Sequence, residues 1–248
     1  MRETRHIMGM PITIEVVGTP DSAPLERVFA HFEAVDARFS PFKADSEVSA
    51  LNRGDVPPWA RSAELEEVLE LAEQTRRETR GYFDIRRPSG GIDPSGIVKG
   101  WAIRNAARLL ADEGWRDYCV NAGGDIQCAG RNAEGAPWRI GIRNPFNARQ
   151  SIKTLQPGDA GIATSGTSIR GQHIYDPHHP DRRLNEILSL TVIAADICDA
   201  DRFATAAFAM GDEAISFIAE TPGLEGYAVD RHGVATMTTG FKRYVAHA

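Results

Sequence analysis

The sequence predicts an α+β fold, mixed sheets with packed helices, on three observations. Strand-like and helix-like stretches follow one another without the regular alternation that builds a doubly wound parallel sheet. No segment recurs at the spacing of a solenoid or propeller repeat. No linker separates two compositions, so residues 1–248 are expected to act as one functional unit, with room for two sub-lobes.

The elements follow in order. "PITIEVVG" alternates apolar and polar residues, and Pro11 suits the first position of a strand. From Ala23 to Arg38, Leu25, Val28, Phe29, Phe32 and Val35 recur at three- and four-residue steps, the spacing of an amphipathic helix. "SPFKADSEVSALNRG" predicts a loop and then a short helix capped near Asp45 or Ser46. Ser62 to Thr79 predicts a helix that Ser62 begins, with Leu65, Val68, Leu69 and Ala72 on one side and Gly81 beyond its end.

"GYFDIRRPSGGIDPSGIVKGWAIRNAARLLADEG" predicts a short extended piece, a Pro/Gly/Ser-rich loop and a helix ending near Gly114. Short strands follow at "YCVN", "DIQCA", "WRIGI", "SIKTLQ" and "AGIATS". The apolar run "ILSLTVIAA" predicts a strand buried on both faces. "DADRFATAAFAMG" and Asp212 to Glu220 predict helices, and "EGYAVD", "GVATMTT" and "FKRYVA" predict closing strands.

Composition narrows the function. Hydrophobic residues at 42% and charged residues at 25% are ordinary for a globular chain and argue against disorder. A net charge of −6 argues against broad nucleic-acid binding but leaves room for a local anion site. Cys119, Cys128 and Cys198 show no CxxC spacing, which predicts a reduced compartment without a disulfide or zinc framework. "MRETRHIMGMPITIEV" lacks the apolar core of a signal peptide, and no run is long enough to span a bilayer. The expectation is a cytoplasmic chain with no stable membrane insertion and no nucleic-acid partner.

Six stretches could carry chemistry. Asp201 and Thr205, four apart on a predicted helix, share a face and offer two hard oxygen ligands for Mg²⁺; a surface acid beside a core-facing threonine is the competing reading. In "GIDPSGIVKG", Asp93 precedes a helix start and Gly96 and Gly100 keep backbone open near Lys99, which makes either a phosphate site or a plain capped helix. "GQHIYDPHHP" suits zinc poorly, since His178 and His179 are adjacent and no second cluster supports them. His173 beside Asp176 could instead serve as a general base, or the segment could be a turn fixed by Pro177 and Pro180. Phe42 is either core or a stacking face for a flat ring. Ser165 in "GIATSG" is not in a GxSxG elbow. In "VNAGGDIQCAG", Gly123 and Gly124 make room for either packing or a ligand.

Taken in order, "IMGMPITIEV", "FSPFKADSEVSALN", "GYFDI", "IDPSGIVKGWAI", "VNAGGDIQCAG", "WRIGIRNP", "GIATSG", "HIYDP" and "LTVIAADICDADRFATAAFAMG" resemble the ApbE family of FAD:protein FMN transferases over nearly the whole chain. The resemblance implies an ApbE-like fold that binds FAD with Mg²⁺. It also implies transfer of FMN to a Thr or Ser hydroxyl of an acceptor protein, with release of AMP. Asp201 and Thr205 match the metal-binding pair, Gly96 the position that offers a backbone oxygen to the metal, and Lys99 a nucleotide contact. Met8, Phe42, Tyr82, Phe83, Asp84, His173 and Ile174 match further FAD-contacting positions, and Gly123 and Gly124 would bring backbone near the diphosphate.

Catalytic roles are expected for Asp201 and for His173, as acceptor of the hydroxyl proton. Two rival functions stay open: a Mg²⁺-dependent FAD pyrophosphatase yielding FMN and AMP, and a non-catalytic flavin-binding module. The chain departs from the family pattern in two places. Phe42 stands where tyrosine is usual, and "HHPDRR" follows "HIYDP" where "xTGxP" is usual. Many members are also exported or lipid-anchored, whereas a leader of that kind is not expected from "MRETRHIMGMPITIEV".

Overall fold

The computed structural model describes residues 1–166 and 174–246. Ten strands and six α-helices follow one another among them: β1 (Arg2–Ile7), β2 (Met10–Val16), α1 (Ala23–Phe39), α2 (Glu47–Arg53), α3 (Ala63–Glu78), α4 (Ser95–Asp112), β3 (Tyr118–Ala122), β4 (Asp125–Ala129), β5 (Ile140–Asn144), β6 (Asn147–Leu155), β7 (Gly161–Gly166), β8 (Ile187–Ala194), α5 (Ile197–Met210), α6 (Ala214–Glu220), β9 (Glu225–Asp230) and β10 (Ala235–Met237). Eight strands form one antiparallel sheet in the order β1-β2-β3-β4-β7-β8-β9-β10, and β5 pairs with β6 separately.

The expected α+β architecture is what the chain adopts, and the reason is visible in burial. Along β2, Met10, Ile12, Ile14 and Val16 are buried on the face covered by α1 and α4, and Val120 and Ala122 of β3 continue that layer. On the opposite face, Ile162, Ile193, Tyr227 and Val229 of the large sheet pack with Ile142 of β5 and Leu155 of β6 around Phe241. Strand β8 therefore lies between two cores, and all but one of its residues are buried.

Helix α5 is nearly all buried and rich in alanine, which lets it lie close to both α4 and the sheet. The Asp196 side chain accepts from the amides of Cys198 and Asp199 at its start, a cap of the kind that fixes where a helix begins. Ser62 and Ser46 cap α3 and α2 in the same way, through the amides of Leu65 and Ser49.

Two local expectations differ from the structure, and one strand lies where none was expected. "FKRYVA" is not a strand: residues Thr239–Tyr244 form a 3-10 helix that buries Phe241 in the second core. "GYFDI" bends rather than extends, because the Thr79 hydroxyl accepts the Phe83 amide and holds the chain close to the end of α3. Arg2–Ile7 is a strand although its side chains are mostly polar, since as an edge strand it needs only the ladder to β2. Among the described residues no helix is long and apolar enough to cross a membrane.

Candidate active site

A cavity of about 940 Å³ opens between the β1–β2 turn, the end of α1, the N-terminus of α4 and one face of α5. That volume lies in the range of small-molecule and cofactor sites. Asp201 and Thr205, one helical turn apart on α5, both line it. Asp201 is 2% exposed.

The electrostatics centre on Lys99 of α4. Its ammonium contacts Asp125 Oδ2 and lies 3.1 Å from Asp201 Oδ1. The Asp201 Oδ2 atom accepts the Gly100 amide hydrogen at 2.8 Å, and Asp125 Oδ1 accepts that of Thr164 at 2.9 Å. Two buried carboxylates thus share one ammonium, which leaves a net negative charge under the cavity floor. Burial pushes the Asp201 carboxyl up to about 6, with the Lys99 charge opposing and the Asp125 charge adding to the rise.

That surplus suits a cation, and the donors nearby are hard oxygens. The Gly96 backbone faces α5 closely enough that a Cβ there would stand 3.5 Å from Thr205 Cγ2 and 3.3 Å from the Phe83 ring. Among the described residues no group of three or more His, Cys, Asp or Glu side chains is placed to hold a metal ion. A cation here would rely on the Asp201 carboxylate, the Thr205 hydroxyl and the Gly96 carbonyl, with ligand oxygens for the rest. That donor set fits Mg²⁺, which takes few protein ligands.

The remaining wall comes from turns and loops. Met8 (φ 55°) and Gly9 (φ 71°) form the two-residue turn between β1 and β2, where both residues must be left-handed. Methionine is unusual there and carries strain of about 1 kcal/mol or more, and Met8 lines the cavity. Tyr82, Phe83, Asp84 and Ile174 line it too, and Phe42 stands at its mouth 91% exposed, whereas Phe39 is core.

Gly123 and Gly124 form the second two-residue turn, between β3 and β4. Both have positive φ (63° and 104°), as this hairpin turn requires. Gly123 lines the cavity, while Gly124 is not part of its wall and donates its amide to Asn121 Oδ1. His173 lies outside the described residues. His178 has a structural place, with Nε2 3.0 Å from the Arg80 carbonyl oxygen and its ring edge-on to Tyr82.

Sequence reasoning missed Asp125 and Arg87. Asp125 follows the glycine pair, but only the sheet register carries it beneath Lys99. Arg87 lines the cavity and pairs at 3.0 Å with Asp93, whose carboxylate also accepts from the Ser95 amide and hydroxyl at the start of α4.

Comparison with known proteins gives the family. The ApbE family model matches residues 8–89 and 85–228. The chain is 36% identical to a FAD:protein FMN transferase of Vibrio cholerae serotype O1, over 86% of its own length and 82% of the relative's. To a Klebsiella pneumoniae protein of the same description it is 25% identical, over 96% and 85%. The solved structure of the flavin transferase ApbE from Vibrio cholerae superposes with a TM-score of 0.86 at 25% identity, covering 98% of each chain. The ApbE protein from Thermotoga maritima shares the fold with a TM-score of 0.85 at 20% identity, covering 100% of this chain and 99% of its own. With the family model spanning most of the sequence and the fold shared end to end, this chain belongs to the ApbE family.

Proposed function

We propose that the protein is a FAD:protein FMN transferase, which moves FMN from FAD to a Thr or Ser hydroxyl of an acceptor protein and releases AMP. The observation that carries this reading is the Asp201–Lys99–Asp125 cluster under a cavity large enough for a dinucleotide. Residues 1–248 act in it as one functional unit.

Asp201, Thr205 and the Gly96 carbonyl are the proposed ligands of Mg²⁺, which when bound neutralises charge on the diphosphate and on departing AMP. Lys99 reaches into the same region from α4 and adds positive charge beside it. Ser95 and Gly96 open α4 on the cavity, so the positive end of that helix favours phosphate there. Phe42 offers an exposed ring for stacking, and Met8, Tyr82, Phe83, Asp84, Gly123 and Ile174 shape the flavin's enclosure. The nucleophile belongs to the acceptor: its hydroxyl oxygen bonds to the FMN phosphorus, the bond to the AMP oxygen breaks, and His173 takes the hydroxyl proton.

The test is incubation of the protein with FAD, Mg²⁺ and an extract of its host cells, resolved on a denaturing gel. The expected result is a flavin-fluorescent protein band that forms together with AMP. Free FMN and AMP appearing equally without extract would identify a pyrophosphatase instead. Bound FAD with no AMP under any condition would identify a binding module.

A further inference from the structure

We propose that Cys119 and Cys128 form a reversible disulfide that staples the β3–β4 hairpin, a modification site on the sheet face turned away from α1 and α4. The two residues stand directly opposite each other in the antiparallel register, and their sulfur atoms are 2.8 Å apart. Counting from the two-residue turn, where Ala122 and Asp125 form the hydrogen-bonded pair, pairs alternate. Cys119 and Cys128 therefore fall at a non-hydrogen-bonded position, where Cα atoms approach to about 4.5 Å. This separation lies within the span a disulfide bridges. Closing the bond requires the sulfurs to move together by less than about 1 Å, with no change of strand register.

The surroundings distinguish the two thiols. Cys128 is fully buried beside Ile126 and Trp138, and the Trp138 indole donates to the Ala129 carbonyl at 2.8 Å, closing that side. Its thiol donates to Cys119 Sγ, and this bond, together with burial, holds it far above the ordinary cysteine range. Cys119 is only half-buried and is the sulfur a reagent reaches.

The oxidant is a small-molecule disulfide. The Cys119 thiolate attacks one of its sulfurs, the small disulfide's bond breaks, and one thiolate leaves. Cys128 Sγ then attacks the Cys119 sulfur, gives up its proton and releases the second thiolate. Two protein thiols are oxidised, one disulfide is reduced to two thiols, and the released thiols carry both protons.

The ring so closed contains Gly123, which lines the cavity, and Asp125, which holds Lys99. A redox event on the far face of the sheet thereby constrains the hairpin that borders the site.

The experiment treats the full-length protein with oxidised glutathione at roughly pH 8, where cysteine thiolate is available. Free thiols are then alkylated in denaturant, and the protein is digested with trypsin without reduction. No Lys or Arg lies between Arg116 and Arg131, so both cysteines travel in one peptide, and Cys198 in another serves as the control thiol. The expected product is a 117–131 peptide that is unalkylated and two hydrogens lighter, that reverts with dithiothreitol, while Cys198 is alkylated throughout. Alkylation of both Cys119 and Cys128, or a lasting glutathione adduct on Cys119, would overturn the proposal. In the Cys128→Ser variant the adduct should be trapped on Cys119, and in Cys119→Ser the remaining Cys128 should stay free of it. An adduct on Cys128 in the latter would overturn the assigned order of attack.

Discussion

The Gly100 amide hydrogen is donated to Asp201 Oδ2 at 2.8 Å, across a contact between α4 and α5 so close that a Cβ at position 100 would stand 2.7 Å from Asp201 Cβ and 3.0 Å from Cys198 Cα. The carboxylate is therefore aimed by backbone as well as by Lys99. Gly100→Ala forces the helices apart and should cost about 1–3 kcal/mol of stability, the usual penalty for overpacking a core. Urea denaturation measures it. A variant as stable as the parent would show that the helices separate freely and that their contact does not set the carboxylate.

Removing the shared ammonium should be costlier. Lys99→Met leaves Asp125 and Asp201, each with a side chain 3% exposed, without their common partner. Uncompensated buried charge costs about 3–5 kcal/mol. Denaturation in EDTA should show most of that loss, and Mg²⁺ should recover part of it, because a divalent cation answers the same surplus of negative charge. A cost unaffected by Mg²⁺ would detach the cluster from metal binding.

Phe42 has the opposite character. At 91% exposure it contributes little to folding, so Phe42→Ala should leave the thermal midpoint unchanged. Its ring is the proposed stacking face at the cavity mouth, and aromatic stacking is worth about 0.5–1.5 kcal/mol. FAD affinity measured by calorimetry should fall accordingly, by about two- to twelvefold.

These sites also mark how far the sequence reaches. Helices with a repeated apolar face were legible to within a residue or two: the expected 23–38 is Ala23–Phe39 and the expected 62–79 is Ala63–Glu78. The 3-10 helix at Thr239–Tyr244 was not, since the aromatic and β-branched residues of "FKRYVA" suit a strand and only the pocket that receives Phe241 decides otherwise. In the site, Asp201 and Thr205 could be paired because four residues on a helix share a face. Asp125 could not, because its position beneath Lys99 depends on two elements meeting through the sheet. The same holds for Cys119 and Cys128, nine residues apart in sequence, which the register sets opposite each other.

Acid sensitivity should come partly from His31. Burial lowers the His31 imidazole below its ordinary value, against the opposing hydrogen bond to the Ala102 carbonyl. As pH falls below about 6.5, the unfolded chain takes up this proton before the folded one, so stability is lost in that window. Thermal midpoints at about pH 7.5 and pH 5 should therefore fall less for His31→Gln than for the parent. An equal fall in both would show that His31 takes up its proton alike in the folded and unfolded chain.

The central claim is that Asp201 anchors a divalent cation against FAD. Calorimetric titration of FAD into the parent and into Asp201→Asn, each in Mg²⁺ and in EDTA, tests it most directly. Mg²⁺ should tighten FAD binding to the parent by about tenfold or more, equivalent to about 1.4 kcal/mol, and should leave the variant's affinity unchanged. An equal Mg²⁺ enhancement in both proteins would contradict the account.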